Sequence, residues 1–342
     1  MANPADEWSS ADLKGVERGG LIKEDVMNKI WDISNIPLPF SDRIGEDSVS
    51  NELATWTQDK LADPDLTNSV VDGADNAKND ARGGKRVGNH CQISTKAVSV
   101  TTRARASDTI GRADELAYQV AERQKELRRD REAIMLHNQA SKADDGDSQP
   151  GILGGLPTWI ETCFTSMTDG QPGGYNTATG LTVGATNGAT QSGVSEAAIR
   201  DAVECVYVNG GEASVLMSTP TIIRKISEYM FTDGARIATL TSDANQKASA
   251  LTATGSVNLF VTDFGTLEMV PNRLQQGANE AFILDTSLLR IGTLHGYKVE
   301  ELAKTGLADK RQMSVDATLK VLNEEGLAII RDIDPDADMT PG

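Results

Sequence analysis

The stretch from Ile36 to Asn138 constrains this chain most. It opens on a proline-punctuated segment, IPLPFSDRIG, passes through two strand-like stretches separated by a long Gly/Asp/Asn-rich span, and ends in one long polar helical pattern. A connection of that length inside a compact domain is usually either functional or disordered. An arm, a long hairpin and a lone helix in succession suit a chain whose contacts extend beyond its own core.

The two strand-like stretches are VSNELATWTQDKLA (Val49 to Ala62), which alternates weakly around Trp56, and NHCQISTKAVSVTT (Asn89 to Thr102), which alternates through Cys91, Ile93, Val98 and Val100. The span between them is either disordered or the tip of a projecting hairpin. From Asp108 to Ala140 the pattern predicts a helix of about 33 residues, roughly 50 Å long. Ala113, Val120, Leu127 and Ile134 recur every seven residues with Leu116 and Ala117 beside them, giving a narrow apolar stripe. Gln124 and Arg131 interrupt it, which favours a helix lying across a sheet over the alternative of a coiled coil. Upstream, GLIKEDVMNKIWDI places Leu21, Ile22, Val26, Ile30 and Trp31 on one helical face before Pro37 and Pro39 stop it. That face needs cover, from its own domain or from a neighbouring subunit.

Downstream the pattern is mixed. GILGGLPTWIETCF reads as a turn and short helix, followed by a Gly/Thr/Asn loop from Thr168 to Gly193. Ser195 is placed to cap a helix through Val208, with Val194 and Ile199 as a hydrophobic staple. A strand follows from Ser214, and Thr219 with Pro220 starts another helix carrying Ile222, Ile223, Ile226 and Met230. The last third, through SVNLFVTDFGTLEMV, AFILDTS, YKVEEL, RQMSVDATLKVLN and GLAIIRDI, reads mostly as strand, and the acidic tail DIDPDADMTPG as an exposed end. Together these predict an α+β fold.

With 342 residues the chain can form one large domain or two ordinary ones. Acidic residues outnumber basic ones by 50 to 33, for a formal net charge of −17. That balance argues against gripping nucleic acid over the whole surface, since such binding relies on Lys and Arg neutralising phosphates; it does not prevent enclosing DNA. Cys91, Cys163 and Cys205 are scattered and odd in number, which implies no disulfide framework and a reducing place of synthesis. The N-terminal residues lack a secretory pattern and no apolar run is long enough for a membrane span, so a soluble, non-secreted protein with no membrane contact is expected.

Motifs that carry chemistry are missing. His90, His137 and His295 show no metal-ligand spacing with the cysteines, GGKRVG lacks the spacing of a phosphate-cradling loop, and DDGDS and DIDPDAD lack the central Gly and terminal Glu of a calcium loop. No nucleophile-elbow sequence is present. The expectation is therefore no catalytic residue, no metal, no cofactor and no enzymatic activity.

The ordered series IPLPFSDRIG, LATWTQDKLADP, VVDGADN, GNHCQIS, GRADELAYQVAERQKELRRDREAIMLHNQ and LGGLPTWIET, continued by VTDFGTLEMVPNR, FILDTSLLRIG and ELAKTGLADKRQMSVDATLKVLNEEGLAII, resembles the major head (major capsid) protein family of tailed double-stranded DNA bacteriophages. The resemblance runs from about Ile36 to Ile333 and implies the Hong Kong 97-like capsid fold. It implies an N-terminal arm over 1–42, an extended loop over 43–104, a peripheral domain with its spine helix over 105–150, an axial domain over 151–292, and a return to the peripheral domain over 293–342. It also implies self-assembly as pentamers and hexamers into an icosahedral head enclosing the viral DNA, with assembly in the bacterial cytoplasm. A separate scaffolding protein, a portal and in some cases a decoration protein are the partners it implies. Ile30, Trp31, Trp56, Lys78, Arg82, Lys85 and Arg86 are the expected inter-subunit contacts. Lys78 and Lys85 lie in the segment where the founding member of the fold cross-links its subunits, yet its motif does not match here, so no cross-link is expected. Another phage part, such as a tail-tube or decoration protein, and a soluble enzyme are the alternatives.

Overall fold

The computed structural model describes residues 37–62, 64–73, 83–107, 114–232, 259–275, 277, 279–304 and 306–340. In chain order its elements are β1 (Gly45–Ser48), β2 (Leu53–Gln58), β3 (Lys85–His90), β4 (Gln92–Thr101), α1 (Thr102–Ala106), α2 (Glu115–Met135), β5 (Phe164–Ser166), β6 (Gly174–Asn176) and β7 (Leu181–Val183). There follow α3 (Glu196–Val208), β8 (Val215–Ser218), α4 (Pro220–Thr232), β9 (Leu259–Thr262), β10 (Gly265–Pro271), β11 (Ala281–Leu284), β12 (Leu289–Leu302), β13 (Ala308–Val321) and β14 (Leu327–Arg331).

Two sheets organise the molecule. One has the order β1-β12-β13-β4 and the other β5-β14-β11-β8-β10-β9; β2 pairs with β3 and β6 with β7 in separate hairpins. In β13 the alternate residues Met313, Val315, Ala317, Leu319 and Val321 are all buried, and α2 packs across β4 and β13 with Leu116, Leu127 and Met135 turned inward. This is the period-two face of a sheet meeting the 3.6-residue stripe of a helix.

The six-stranded sheet is different, because β8, β11 and β14 are buried on both faces. Val215, Met217, Phe282, Leu284, Leu327 and Ile329 face the core shared with α2 and the four-stranded sheet. Leu216, Ala281, Ile283, Ala328 and Ile330 face a second core under α3 and α4. Strands buried on both sides read as continuous apolar runs, and VLM, AFIL and LAII do.

Polar side chains join the parts. The fully buried Glu132 carboxylate on α2 accepts the Phe40 and Ser41 amides, both at 3.1 Å, and the Asn272 side-chain amide at 2.8 Å. Asn89 on β3, also fully buried, donates to the Gly154 and Leu319 carbonyls at 3.1 and 2.8 Å and accepts the Gly154 amide at 2.8 Å. Gly155 beside it has no room for a side chain, since a Cβ there would lie 1.8 Å from the His137 carbonyl oxygen. On β14, Arg331 pairs with Glu280 at 3.1 Å with both side chains almost wholly buried. Burial pushes the Glu280 carboxyl up to about 6, against the opposing pull of Arg331.

Several expectations are corrected. The long helix is α2 alone, 21 residues from Glu115 to Met135 and so about 31 Å, because Asp114 caps it through the Leu116 amide at 3.0 Å; the expected start at Asp108 lies outside the described residues. Thr101 caps α1 separately through the Ala104 amide. The hairpin partner of β2 is β3, whereas most of Asn89 to Thr102 is β4 and belongs to the four-stranded sheet. The acidic tail is no loose end: Thr340 exchanges backbone bonds with Val194 and Glu196, and Met339 is buried in the second core. Within 293–342, β13 lies in the four-stranded sheet and β14 in the six-stranded one. Finally, Cys163 and Cys205 form a disulfide, which their separation of 42 residues concealed in the sequence. The caps at Ser195 and the start at Pro220 stand as expected, with the Ser195 hydroxyl accepting the Ala198 amide at 3.0 Å.

Glu132→Ala leaves two backbone amides and the Asn272 amide without their acceptor, and should lower unfolding stability in urea by about 3 kcal/mol; a change below about 0.5 kcal/mol would mean the node is not structural. For Glu280 the native pKa near 6 exceeds the ordinary value of 4.5, so its contribution favours the fold fully below 4.5 and fades as pH rises through 6. Between pH 4.5 and 7 the wild type should therefore lose about 2 kcal/mol relative to Glu280→Gln. Parallel pH profiles of the two proteins in denaturant titrations would contradict this.

Candidate functional site

Among the described residues, the part least accounted for by the chain's own cores is the stretch that follows β2. Its base is an antiparallel ladder from Leu53 opposite His90 to Gln58 opposite Lys85. Trp56 fixes that base: its indole Nε1 donates to the Val321 carbonyl at 2.8 Å, and its ring lies 5.4 Å from Trp159, which stacks on Tyr175 at 5.6 Å. Lys60 continues the attachment, with Nζ 2.9 Å from Asn209 Oδ1 at the end of α3 and 2.5 Å from Glu325 Oε2.

Beyond Lys60 the side chains turn outward. Leu61 and Leu66 are more than nine-tenths exposed, Val70 is 70% exposed and Val71 79% exposed. Asp65 orders part of this segment by accepting the Thr67 amide at 2.8 Å and its hydroxyl at 2.6 Å. Four large apolar groups held in water within eleven residues form a surface that needs a partner to become favourable. Each is worth about 1.5–3 kcal/mol on full burial.

Of the residues expected to contact neighbours, Lys85 and Arg86 are exposed strand residues of β3 and not tip residues; Arg86 donates to Thr55 Oγ1 at 3.1 Å. Trp56, half-buried, is engaged inside its own subunit by its bond to Val321 and its packing against Trp159. Ile30, Trp31, Lys78 and Arg82 lie outside the described residues. The sequence reading missed Leu61, Leu66, Val70 and Val71, whose only signal was apolar side chains isolated in a polar loop without period. Lys60 and Asn209 were not legible, because they meet across 149 residues.

Around the hinge from β3 to β4 the titratable groups are shifted by burial. It pushes the Cys91 thiol up to about 12, lowers His90 and raises Asp316. Asp309 is held below the usual carboxylate range by Lys304 and Arg105. Among the described residues no three His, Cys, Asp or Glu side chains are grouped to hold a metal ion. The open groove between β4 and the start of α2 is lined by Val98, Val100, Ala104, Glu115, Gln119 and Arg123, and the one between α3 and β10 by Val203, Tyr207 and Phe264.

The SU10 major capsid protein family model matches residues 9–334. The major capsid protein of Escherichia phage Phieco32 is 29% identical over 246 residues, which span 64% of this chain and 68% of that relative. A solved structure from Gordonia phage Cozz superposes with a TM-score of 0.58 at 12% identity, covering 97% of this chain and 98% of its own. The capsid structure of cyanophage P-SCSP1u gives 0.58 at 12% identity, covering 95% and 98%. At such identities the superpositions speak to fold, while the family match spans nearly the whole sequence. A double-faced sheet, a helix lying across a second sheet and the β2–β3 hairpin thus find their common explanation: the chain belongs to the SU10 major capsid protein family and has the Hong Kong 97-like fold of phage capsid proteins.

Proposed function

We propose that this chain builds an icosahedral head from pentamers and hexamers of itself, and that the segment from Leu61 to Val71 is the part that docks on an adjacent subunit. The observation that carries this is the contrast across Lys60: Trp56 and Lys60 bind the base of the hairpin to its own subunit, while the four apolar residues beyond it have no cover. A rigid base with an uncovered apolar end makes a heterologous contact, and such contacts close into rings when the rotation allows. Lys85 and Arg86, on the exposed face of β3, are placed to select register on an acidic neighbour more than to add affinity.

The role is structural and not catalytic, as the family match supports. The shell encloses double-stranded DNA without reading its sequence, consistent with a net charge of −17, and needs a separate scaffolding protein, a portal and, in some heads, a decoration protein. Assembly takes place in the host cytoplasm, and subunits are held together by noncovalent contacts.

The double variant Leu66→Asp/Val70→Asp should retain the wild-type unfolding midpoint, because both side chains are exposed in the subunit. It should lose closed shells in electron micrographs, since a buried carboxylate in place of an apolar group removes several kcal/mol per contact. Wild-type shells, run on a denaturing gel, should migrate as monomers. Shells formed by the variant in normal yield would contradict the docking role.

A further inference from the structure

We propose that Cys163 and Cys205 are a redox lock on the extended loop: a dithiol in the newly folded subunit, closed afterwards by exchange with a small-molecule disulfide. The inference goes beyond the assembly reading, because it concerns bonds within one chain.

Contacts other than the bond hold both cysteines. Cys163 precedes β5, and its carbonyl accepts the Ile329 amide at 3.1 Å, so the sheet edge fixes it. Cys205 sits in the last turn of α3, positioned by Val203 and Val206 in the second core, with the Cα atoms 5.7 Å apart, a span a disulfide bridges. Access differs between them. Cys163 is buried and Cys205 half-buried, so Cys205 is the sulfur an incoming disulfide meets. The Asn209 side-chain amide lies 3.6 Å from both sulfurs, a hydrogen-bond donor facing a thiolate at either position. Cys91 does not compete, being buried with its thiol pushed up to about 12.

The same Asn209 joins this pair to the loop. Its amide faces the sulfurs while its oxygen accepts Lys60 Nζ at 2.9 Å. Lys60 also pairs with Glu325, whose carbonyl oxygen lies 3.9 Å from the Cys163 sulfur. Glu324, next in line, accepts the Glu161 and Thr162 amides, so the turn before Cys163 and the anchor of the loop share one network. Closing the bond holds the last turn of α3, and with it the receptor for Lys60.

The exchange balances. The Cys205 thiolate attacks one sulfur of a small-molecule disulfide built from two monothiols, such as glutathione disulfide, and releases one small thiol. The Cys163 thiolate then attacks the Cys205 sulfur of the mixed disulfide and releases the second. The protein loses two electrons and two protons, and the oxidant gains them as two thiols.

The test uses full-length subunits purified anaerobically in reduced glutathione and then transferred to oxidised glutathione. Alkylation with iodoacetamide in denaturant, read by intact mass, should fall from three labels to one. Hydrogen exchange of residues 53–62 should slow several-fold on closure, and the thermal midpoint should rise by several degrees. In Cys163→Ser/Cys205→Ser neither quantity should respond to the redox change. Three labels persisting in oxidised glutathione would overturn the proposal, as would one label with unchanged exchange at 53–62. Shell formation is scored separately by microscopy, so a failure of the assembly reading leaves the label count and the exchange rates interpretable.

Discussion

Glu132, on α2, accepts hydrogen bonds from two places that are far from it and from each other in sequence: the turn at Phe40 and Ser41, and Asn272 just after β10. A fully buried carboxylate is tolerated only when donors surround it, and here the donors are the pieces that must be aligned. Because backbone amides supply two of the bonds, neither the turn nor the helix can slide without losing one. The position of α2 over β4 and β13, and the seating of the six-stranded sheet beneath, depend on this node.

The six-stranded sheet extends that order to the rest of the molecule. Its central strands serve two cores at once, so a shift in β11 or β14 disturbs both the α2 side and the α3/α4 side. Interiors packed at this density transmit displacement and do not absorb it. That stiffness suits a subunit whose neighbours are positioned by its outline. Among the described residues, a segment exempt from it lies beyond Lys60, where apolar side chains point to solvent.

Much of the fold was legible because local chemistry and burial agreed. Ser195 with Val194 and Ile199 gave the start of α3, Thr219–Pro220 gave α4, and VLM, AFIL and LAII gave strands whose unbroken apolarity matches two-sided burial. Where partners are distant, legibility stopped. The sequence period alone did not show that Asp114 caps the long helix, because the apolar spacing runs through it. The pairing of β2 with β3, the disulfide and the return of Met339 to the second core all depend on topology. The candidate contact surface was hidden for another reason: Leu61, Leu66, Val70 and Val71 have no period, and only their exposure reveals them.

The central claim is that one chain combines a body fixed by buried polar nodes with a loop whose apolar end is completed by another copy. A cryo-electron microscopy reconstruction of the assembled particle tests it most directly. The account predicts that Leu61, Leu66, Val70 and Val71 are buried against an adjacent subunit while Trp56 and Lys60 keep their bonds to Val321 and Asn209 of their own. A particle in which those four side chains remain in solvent, or fold back onto their own subunit, would contradict it.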